Sequence, residues 1–207
     1  MKPGEVTEGK VLHRARLYDL GLKVLSLGRE HRMRAHVLDL SRIAAGESVL
    51  DVGCGTGTLA IAAAARVGGS GKVHGIDPSP SMVDRAKSKA DEARAHAQFQ
   101  VGTIESIPFP DETFDLVLST IMLHHLPEAV RCKGFEHVRR VLKPGGRFFS
   151  VDFEPPRTLP IVAWLSRMHD DTPGVRAMAE SLREAGFTDV KTAPTGYRAL
   201  WSLSGRR

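Results

Sequence analysis

Three glycines in five residues, Gly53, Gly55 and Gly57, separate the apolar run Val49–Val52 from an alanine-rich stretch, Leu59 to Val67. The pattern reads as a buried strand, a tight turn and a helix. Glycine lets a backbone pass close to a ligand where a side chain would collide. The helix behind the turn then offers unpaired N–H groups to a negative group. A unit of this kind belongs to an α/β sheet whose site lies beyond the carboxyl ends of its strands. The spacing narrows the ligand. Dinucleotide sites read G-x-G-x-x-G, whereas here the order is G-x-G-x-G, with Asp51 two residues before the first glycine. An acid there would repel a pyrophosphate.

A second acid follows at the spacing the same fold uses. Lys72-Val73-His74-Gly75-Ile76-Asp77 reads as the next strand, and Asp77 lies twenty residues after Gly57. At the tip of a second strand a carboxylate accepts hydrogen bonds from ribose hydroxyls. The plainer alternative is an acid that begins a turn. Ser79 is the expected N-cap of the following helix, with Pro80 at its first position.

The segment Val49–Ala60 resembles the first motif of the class I S-adenosylmethionine-dependent methyltransferases. The resemblance implies S-adenosyl-L-methionine as cofactor, its ammonium near Asp51 and its ribose at Asp77. It implies cofactor contacts from Gly53, Cys54, Gly55, Thr56 and Gly57, from Pro78 and Met82 after the second strand, and from Ser119 on the fourth. Phe114–Ser119 resembles the family's fourth-strand motif, and Val141–Gly146 its fifth-strand entry. Gly102–Phe109 is similar to the loop that covers adenine, implying contacts from Thr103, Ile104 and Glu105. Thr103 stands where the family usually has Asp or Asn to accept from the adenine amino group. A threonine hydroxyl does this less well, and Glu105 or a backbone group is the expected substitute. Within the class, Tyr18-Asp19-Leu20 and Val24–Gly28 resemble the ubiquinone/menaquinone C-methyltransferase branch, which places Tyr18 near the methionine end. The stretch between the fifth strand and the last helix is shorter than in that branch, so acceptors other than quinones stay open.

Strand and helix signals alternate from residue 48 to about 153, which predicts a parallel sheet with helices on both faces. Expected strands are Ser48–Gly53, Lys72–Asp77, Ala97–Val101, Phe114–Thr120 and Arg147–Phe153, with helices Thr58–Val67, Pro80–His96 and Pro127–Leu142. Leu142–Gly146 should end the last of these, because proline cannot continue a helix and glycine permits the turn. A helix from about Pro173 to Ala185, closed by Gly186, precedes strands near Thr188–Ala193 and Arg198–Leu203. The fold expected is a three-layer α/β sandwich with a mostly parallel seven-stranded sheet. Its antiparallel last strand is implied by the resemblance. Residues 1–45 are expected as a helical lid over the cofactor, in two helices broken near Gly28, and residues 46–207 as the cofactor-binding domain.

Charge is uneven. Residues 1–42 hold nine basic side chains against five acids, which carries +4 of the chain's +5. A solvated helical face explains this; attraction to a membrane surface or an anionic substrate is the sharper reading. The apolar stretch Ile161–Leu165, with Trp164, either docks on a bilayer or packs on the sheet. Aromatic residues are only 6 %, with no basic-aromatic stripe, so nucleic acid is not an expected partner. Two cysteines and no paired histidine spacing imply neither a disulfide framework nor a metal. With no secretory signal and no apolar run of about 20 residues, the expected compartment is the cytoplasm.

Methyl transfer from a sulfonium is an in-line displacement, achieved largely by alignment and exclusion of water. A ring carbon or hydroxyl acceptor gains from a base. His124 and His125, just after the fourth strand, suit that role by residue type, with capping or packing as their ordinary alternative. Asp152 near the end of the fifth strand is another candidate; its alternative is an acid paired with an N-terminal arginine. The expected function is methylation of a small, hydrophobic or aromatic acceptor. A non-catalytic cofactor-binding protein of the same fold and a nicotinamide-dependent oxidoreductase are the competing readings.

Overall fold

The computed structural model describes residues 30–154, 174–197 and 199–207. Their centre is β1 (Ser48–Val52), whose last four residues are all buried. Burial on both faces requires apolar residues without alternation, which Val-Leu-Asp-Val meets except at Asp51. Parallel neighbours flank β1: β2 (Lys72–Asp77) on one side and β4 (Phe114–Thr120) on the other. Beyond them lie β3 (Ala97–Val101), which pairs with β2, and β5 (Leu142–Phe153), which pairs with β4. The chain then turns back, and β7 (Leu200–Arg206) runs antiparallel between β5 and the edge strand β6 (Thr188–Pro194). The order is β3-β2-β1-β4-β5-β7-β6, the seven-stranded, three-layer arrangement expected from the sequence. Strand order reverses at β1, so a crevice opens between the carboxyl ends of β1 and β4.

Helices α1 (Glu30–Ser41), α2 (Thr58–Val67) and α3 (Pro80–Ala93) cover one face. Val37, Leu38, Leu59, Ala63 and Val83 pack there with Val49, Leu116 and Leu118 of the sheet. Helices α4 (Glu128–Val141) and α5 (Val175–Glu184) cover the other. Phe135, Val138, Met178 and Leu182 meet Leu50, Val52, Val117 and Phe148. Among the described residues no helix is long and apolar enough to cross a membrane.

Boundaries shift where local geometry overrides pattern. Helix α3 stops at Ala93, short of His96, because Arg94 turns left-handed at φ 51°. The break expected over Leu142–Gly146 lies inside β5. Phe114 pairs with Leu142 and Leu116 with Arg147, so residues 143–146 bulge opposite Asp115. Lys143 Nζ donates to both oxygens of Asp115 at 2.9 Å and anchors that bulge. Strand β7 runs to Arg206, past the expected Leu203. A side chain at Gly205 would meet Leu182 and Phe187 at 3.1–3.2 Å, so glycine lets α5 close on the strand. Tyr18, the first expected N-terminal helix and Ile161–Leu165 lie outside the described residues.

Candidate active site at the tips of β1, β4 and β5

The turn after β1 is left-handed at Gly53, Gly55 and Gly57, with φ of 71°, 54° and 77°. Two of these positions differ instructively. A Cβ at Gly57 would lie 2.8 Å from Phe99 and 2.9 Å from Ala86, so core packing alone demands glycine there. A Cβ at Gly55 would meet nothing within 4 Å. The backbone at Gly55 therefore faces open space, as a ligand cradle requires. Asp77 braces this turn. Its Oδ2 accepts from the Gly55 N–H and its Oδ1 from the Ser79 N–H, both at 2.9 Å. Burial raises the Asp77 carboxyl above its ordinary value, and these two N–H groups pull it part of the way back. Ser79 is the N-cap of α3 by position, with Pro80 behind it. Its hydroxyl, however, pairs with that of Ser81 at 3.0 Å and makes no cap bond.

Asp51 is 1 % exposed, and neither carboxylate oxygen has a hydrogen-bond partner. Burial pushes its pKa up to about 7, the Arg34 guanidinium pulls it down, Asp77 raises it again, and the backbone N–H of Ala60 in the first turn of α2 lowers it. Arg34 reaches this point from α1. It is 8 % exposed, and its Nη1 donates to Thr120 Oγ1 at the tip of β4 at 2.9 Å. The sequence reading counted Arg34 as one of nine basic residues in a charged segment and missed it as a site residue. A signal was present: Arg34, Val37, Leu38 and Ser41 are the buried face of α1, spaced i, i+3, i+4, i+7. An arginine on that stripe points inward.

The second cluster forms where β4 ends. Ile121 adopts φ 52°, an outlier for a β-branched residue, and its N–H donates to Val151 O at 2.8 Å. This kink folds the chain back over β5 and into the short 3-10 turn Leu123–His125. Asp152, 1 % exposed at the end of β5, gathers the returning segment. Its Oδ2 accepts from the N–H groups of Met122 (3.2 Å) and His124 (3.3 Å), and its Oδ1 from Phe153 N–H (2.8 Å). Oδ1 also lies 2.6 Å from His124 Nδ1. The three backbone N–H groups that Asp152 accepts from suit a carboxylate, which accepts only. Against a carboxylate the Nδ1 of His124 is the donor, and a neutral ring in that tautomer keeps its lone pair on Nε2. The expected alternative, Asp152 paired with an N-terminal arginine, is corrected here: Arg34 goes to Thr120 and Asp152 to His124. The rings of His124 and His125 lie 3.8 Å apart, and half-exposed Phe153 meets His124 edge-on at 5.0 Å.

The other expected contacts scatter. The Thr56 hydroxyl accepts from Lys89 Nζ at 3.1 Å, as does Thr58 at 2.7 Å. The Cys54 thiol is buried against β2, where it lies 3.0 Å from a Cβ built on Gly75, and Met82 is a core residue of α3. Pro78 is half-buried beside Asp77. Ser119 is fully buried in register with Ser150, and neither hydroxyl has a partner. Ser119 thus faces Ser150 within the sheet, on the face opposite to Asp51. Thr103 begins a tight turn closed by Ser106 N–H to its carbonyl, and the Ile104 side chain packs on Gly134. Glu105 Oε2 is buried without a partner.

Comparison with known proteins agrees with this architecture. A methyltransferase domain family model matches residues 49–146. A demethylmenaquinone methyltransferase of Listeria monocytogenes is 30 % identical over 84 % of this chain and 84 % of its own. The crystal structure of a SAM-dependent methyltransferase from Aquifex aeolicus superposes with TM-score 0.70 at 25 % identity, covering 84 % of this chain and 88 % of that one. The [4+2]-cyclase SpnF shares the fold alone, with TM-score 0.72 at 21 % identity over 85 % of this chain and 80 % of its own. On the glycine turn with its two acids, the strand order and these relatives together, the chain belongs to the S-adenosylmethionine-dependent methyltransferases.

Proposed function

We propose that this enzyme methylates a small aromatic or hydrophobic acceptor whose proton is taken by Nε2 of His124. The observation that carries the reading is the His124–Asp152 pair at 2.6 Å, beside the crevice between β1 and β4. S-adenosylmethionine supplies a methyl group activated on a sulfonium. Asp51 fits its ammonium, because two buried oxygens without donors match a cation that brings its own. Asp77 fits the ribose, since each of its oxygens holds one N–H and keeps a further lone pair. Glu105 Oε2 is the acceptor best suited to the adenine amino group where Thr103 replaces the usual acid.

His124 receives the acceptor's proton at Nε2 as the new bond to the methyl carbon forms. Asp152 holds the ring through Nδ1–H and stabilises the imidazolium. Phe153, 41 % exposed and edge-on to His124, offers an apolar wall to a planar acceptor. The Listeria relative's name supports an acceptor of the demethylmenaquinone kind, whose reduced form is a ring bearing ionisable hydroxyls. The expected setting is the cytoplasm, with residues 1–45 closing over the cofactor. The test is single-turnover methyl transfer with reduced quinones and simple phenols. His124→Gln should lower the rate about 10²–10⁴-fold while S-adenosylhomocysteine still binds. Unchanged turnover by His124→Gln would remove the base from the mechanism.

A further inference from the structure

We infer that the acceptor site continues past His124 along the carboxyl edge of the sheet to Tyr197, in the turn between β6 and β7, and that it takes an acceptor whose reacting ring carries an apolar arm. The inference rests on the acceptor reading above and deepens it, from a planar ring to a ring with an extension two strand spacings long, about 10 Å.

Three observations converge. The large hydrophobic side chains exposed among the described residues are Leu40, Val101, Phe153 and Tyr197. Phe153 and Tyr197 belong to joined segments: Phe153 pairs with Leu200, and the Leu200 N–H donates to Tyr197 O at 3.2 Å. Second, the turn that carries Tyr197 is fastened. The Thr195 hydroxyl donates to Leu200 O at 2.9 Å and accepts from the Tyr197 N–H at 3.3 Å. From α1, His36 Nε2 donates to Thr195 O at 2.8 Å, and its ring meets Tyr197 edge-on at 5.8 Å. The Glu154 N–H, just past β5, donates to Ala199 O at 2.9 Å. Third, strand order fixes the path. His124 follows β4, Phe153 ends β5 and meets the His124 ring at 5.0 Å, and Tyr197 stands ahead of β7, the next strand in the sheet.

The hairpin itself needs no aromatic ring here. Gly196 makes the turn at φ 84°, and Thr195 closes it. Yet a hydrogen bond between residues 159 apart holds Tyr197 where 39 % of it stays exposed. A ring fixed in this way offers contact area at little further cost in conformational entropy. Exposed apolar surface continuous with a site marks a ligand groove. The order along the edge sorts the occupant. At one end Nε2 of His124 meets an ionisable hydroxyl. Farther out, Phe153 and Tyr197 present ring faces that suit an apolar group. An acceptor that matches both ends has its hydroxylated ring at His124 and an apolar arm laid over Phe153 toward Tyr197. A single-ring phenol would leave Tyr197 uncovered, and a polar arm would gain nothing from the two rings.

Methyl-transfer kinetics with three reduced acceptors test this: a bare hydroquinone, the same ring with an octyl arm, and the same ring with an oligoether arm of equal length. The wild-type enzyme should prefer the octyl acceptor by at least about tenfold in kcat/KM, the effect of a few buried methylenes. Tyr197→Ala should erase most of that preference by raising KM for the octyl acceptor. It should leave the bare ring unchanged, which shows that the fold and the base are intact. Tyr197→Phe keeps the ring and should keep the preference. His36→Ala frees the turn and should raise KM for the octyl acceptor at constant kcat, whereas His36→Gln keeps a donor for Thr195 O and should behave as wild type. Equal kcat/KM for all three acceptors in the wild type, or an octyl preference that survives Tyr197→Ala, overturns the subsite and leaves His124 in place. If the wild type methylates none of the three, the acceptor reading falls and the subsite with it. If Tyr197→Ala loses co-sedimentation with anionic vesicles while its kinetics stay those of wild type, the ring serves a lipid surface and the subsite is overturned.

Discussion

Two aspartates stand at strand ends with the same burial and opposite surroundings. Asp152 and Asp51 are each 1 % exposed. Asp152 takes three backbone N–H groups and the His124 ring, while Asp51 takes no hydrogen bond. The first is a finished structural unit whose purpose lies in the ring it holds. The second leaves both oxygens open, as the ammonium contact proposed for it requires. Burial alone therefore says little about a carboxylate; its donors decide whether it serves the fold or a ligand. The contrast predicts that mutations at the two sites shift stability in opposite directions.

Asp152→Asn carries the largest expected effect. An amide keeps the shape but turns two of its own donors toward groups that are already donors. Loss of buried acceptors should destabilise the fold by about 2–4 kcal/mol, measured by urea unfolding. His124 would lose the partner that fixes its tautomer, so the methyl-transfer rate should fall about 10²–10⁴-fold. Unaltered stability in Asp152→Asn would break the comparison, because the bonds at Asp152 would then contribute nothing.

Asp51→Asn should do the reverse to stability. The pKa of Asp51 is raised to about 7 from an ordinary 3.8, so its folded state favours the protonated form. The sign follows: the charge penalty is absent below pH 3.8, grows as pH rises, and is complete above about 7. An asparagine avoids it, so the unliganded variant should be more stable than wild type at pH 8, by about 4 kcal/mol at most. At pH 3.5 the two should unfold alike. An ammonium at Asp51 favours the carboxylate, so S-adenosylhomocysteine should bind more tightly as pH rises toward 7, with proton release at pH 6. Calorimetry in buffers of different ionisation enthalpy reads that proton directly. A pH-independent affinity from 5.5 to 8 would show that Asp51 is ionised before the ligand arrives.

Legibility in the sequence follows the same division. The glycine turn, Asp51 and Asp77 were readable because their roles depend on spacing within one strand–turn–helix unit. Strands β1 and β4 were readable because burial on both faces writes apolar runs, whereas edge strand β3, with only Phe99 buried, was readable from its place between turn and helix signals. What was hidden depends on contacts far apart along the chain. Arg34 meets Thr120 across 86 residues, and Asp152 meets His124 across 28. The residues were candidates by type at His124 and Asp152, but no pattern joins them. Strand β7 was cut short because Ser204-Gly205-Arg206 looks like a polar tail, whereas pairing with β5 and β6 together holds it extended. Ser119 looked like a site residue from its place in the fourth-strand motif. Strand alternation turns it toward Ser150 and the α4 side, opposite to Asp51.

The smallest expected effect sharpens how the Asp152 cluster is held. Ile121 at φ 52° pays a left-handed penalty of about 1–2 kcal/mol that glycine avoids. Glycine also adds about 0.5–1 kcal/mol of unfolded-state entropy, and it gives up the packing of a half-buried isoleucine. Ile121→Gly should therefore change stability by no more than about 1 kcal/mol in either direction. Its effect should appear in the loop. Without the stiff kink, the amides of Met122 and His124 should exchange hydrogen faster, and the methyl-transfer rate should fall a few-fold at constant cofactor affinity. Ile121→Val keeps the β-branch and should behave as wild type in both respects. If Ile121→Gly leaves exchange at Met122 and His124 unaltered, the three bonds from Asp152 to Met122 and His124 hold the segment, and the backbone strain at Ile121 has no part in positioning the base.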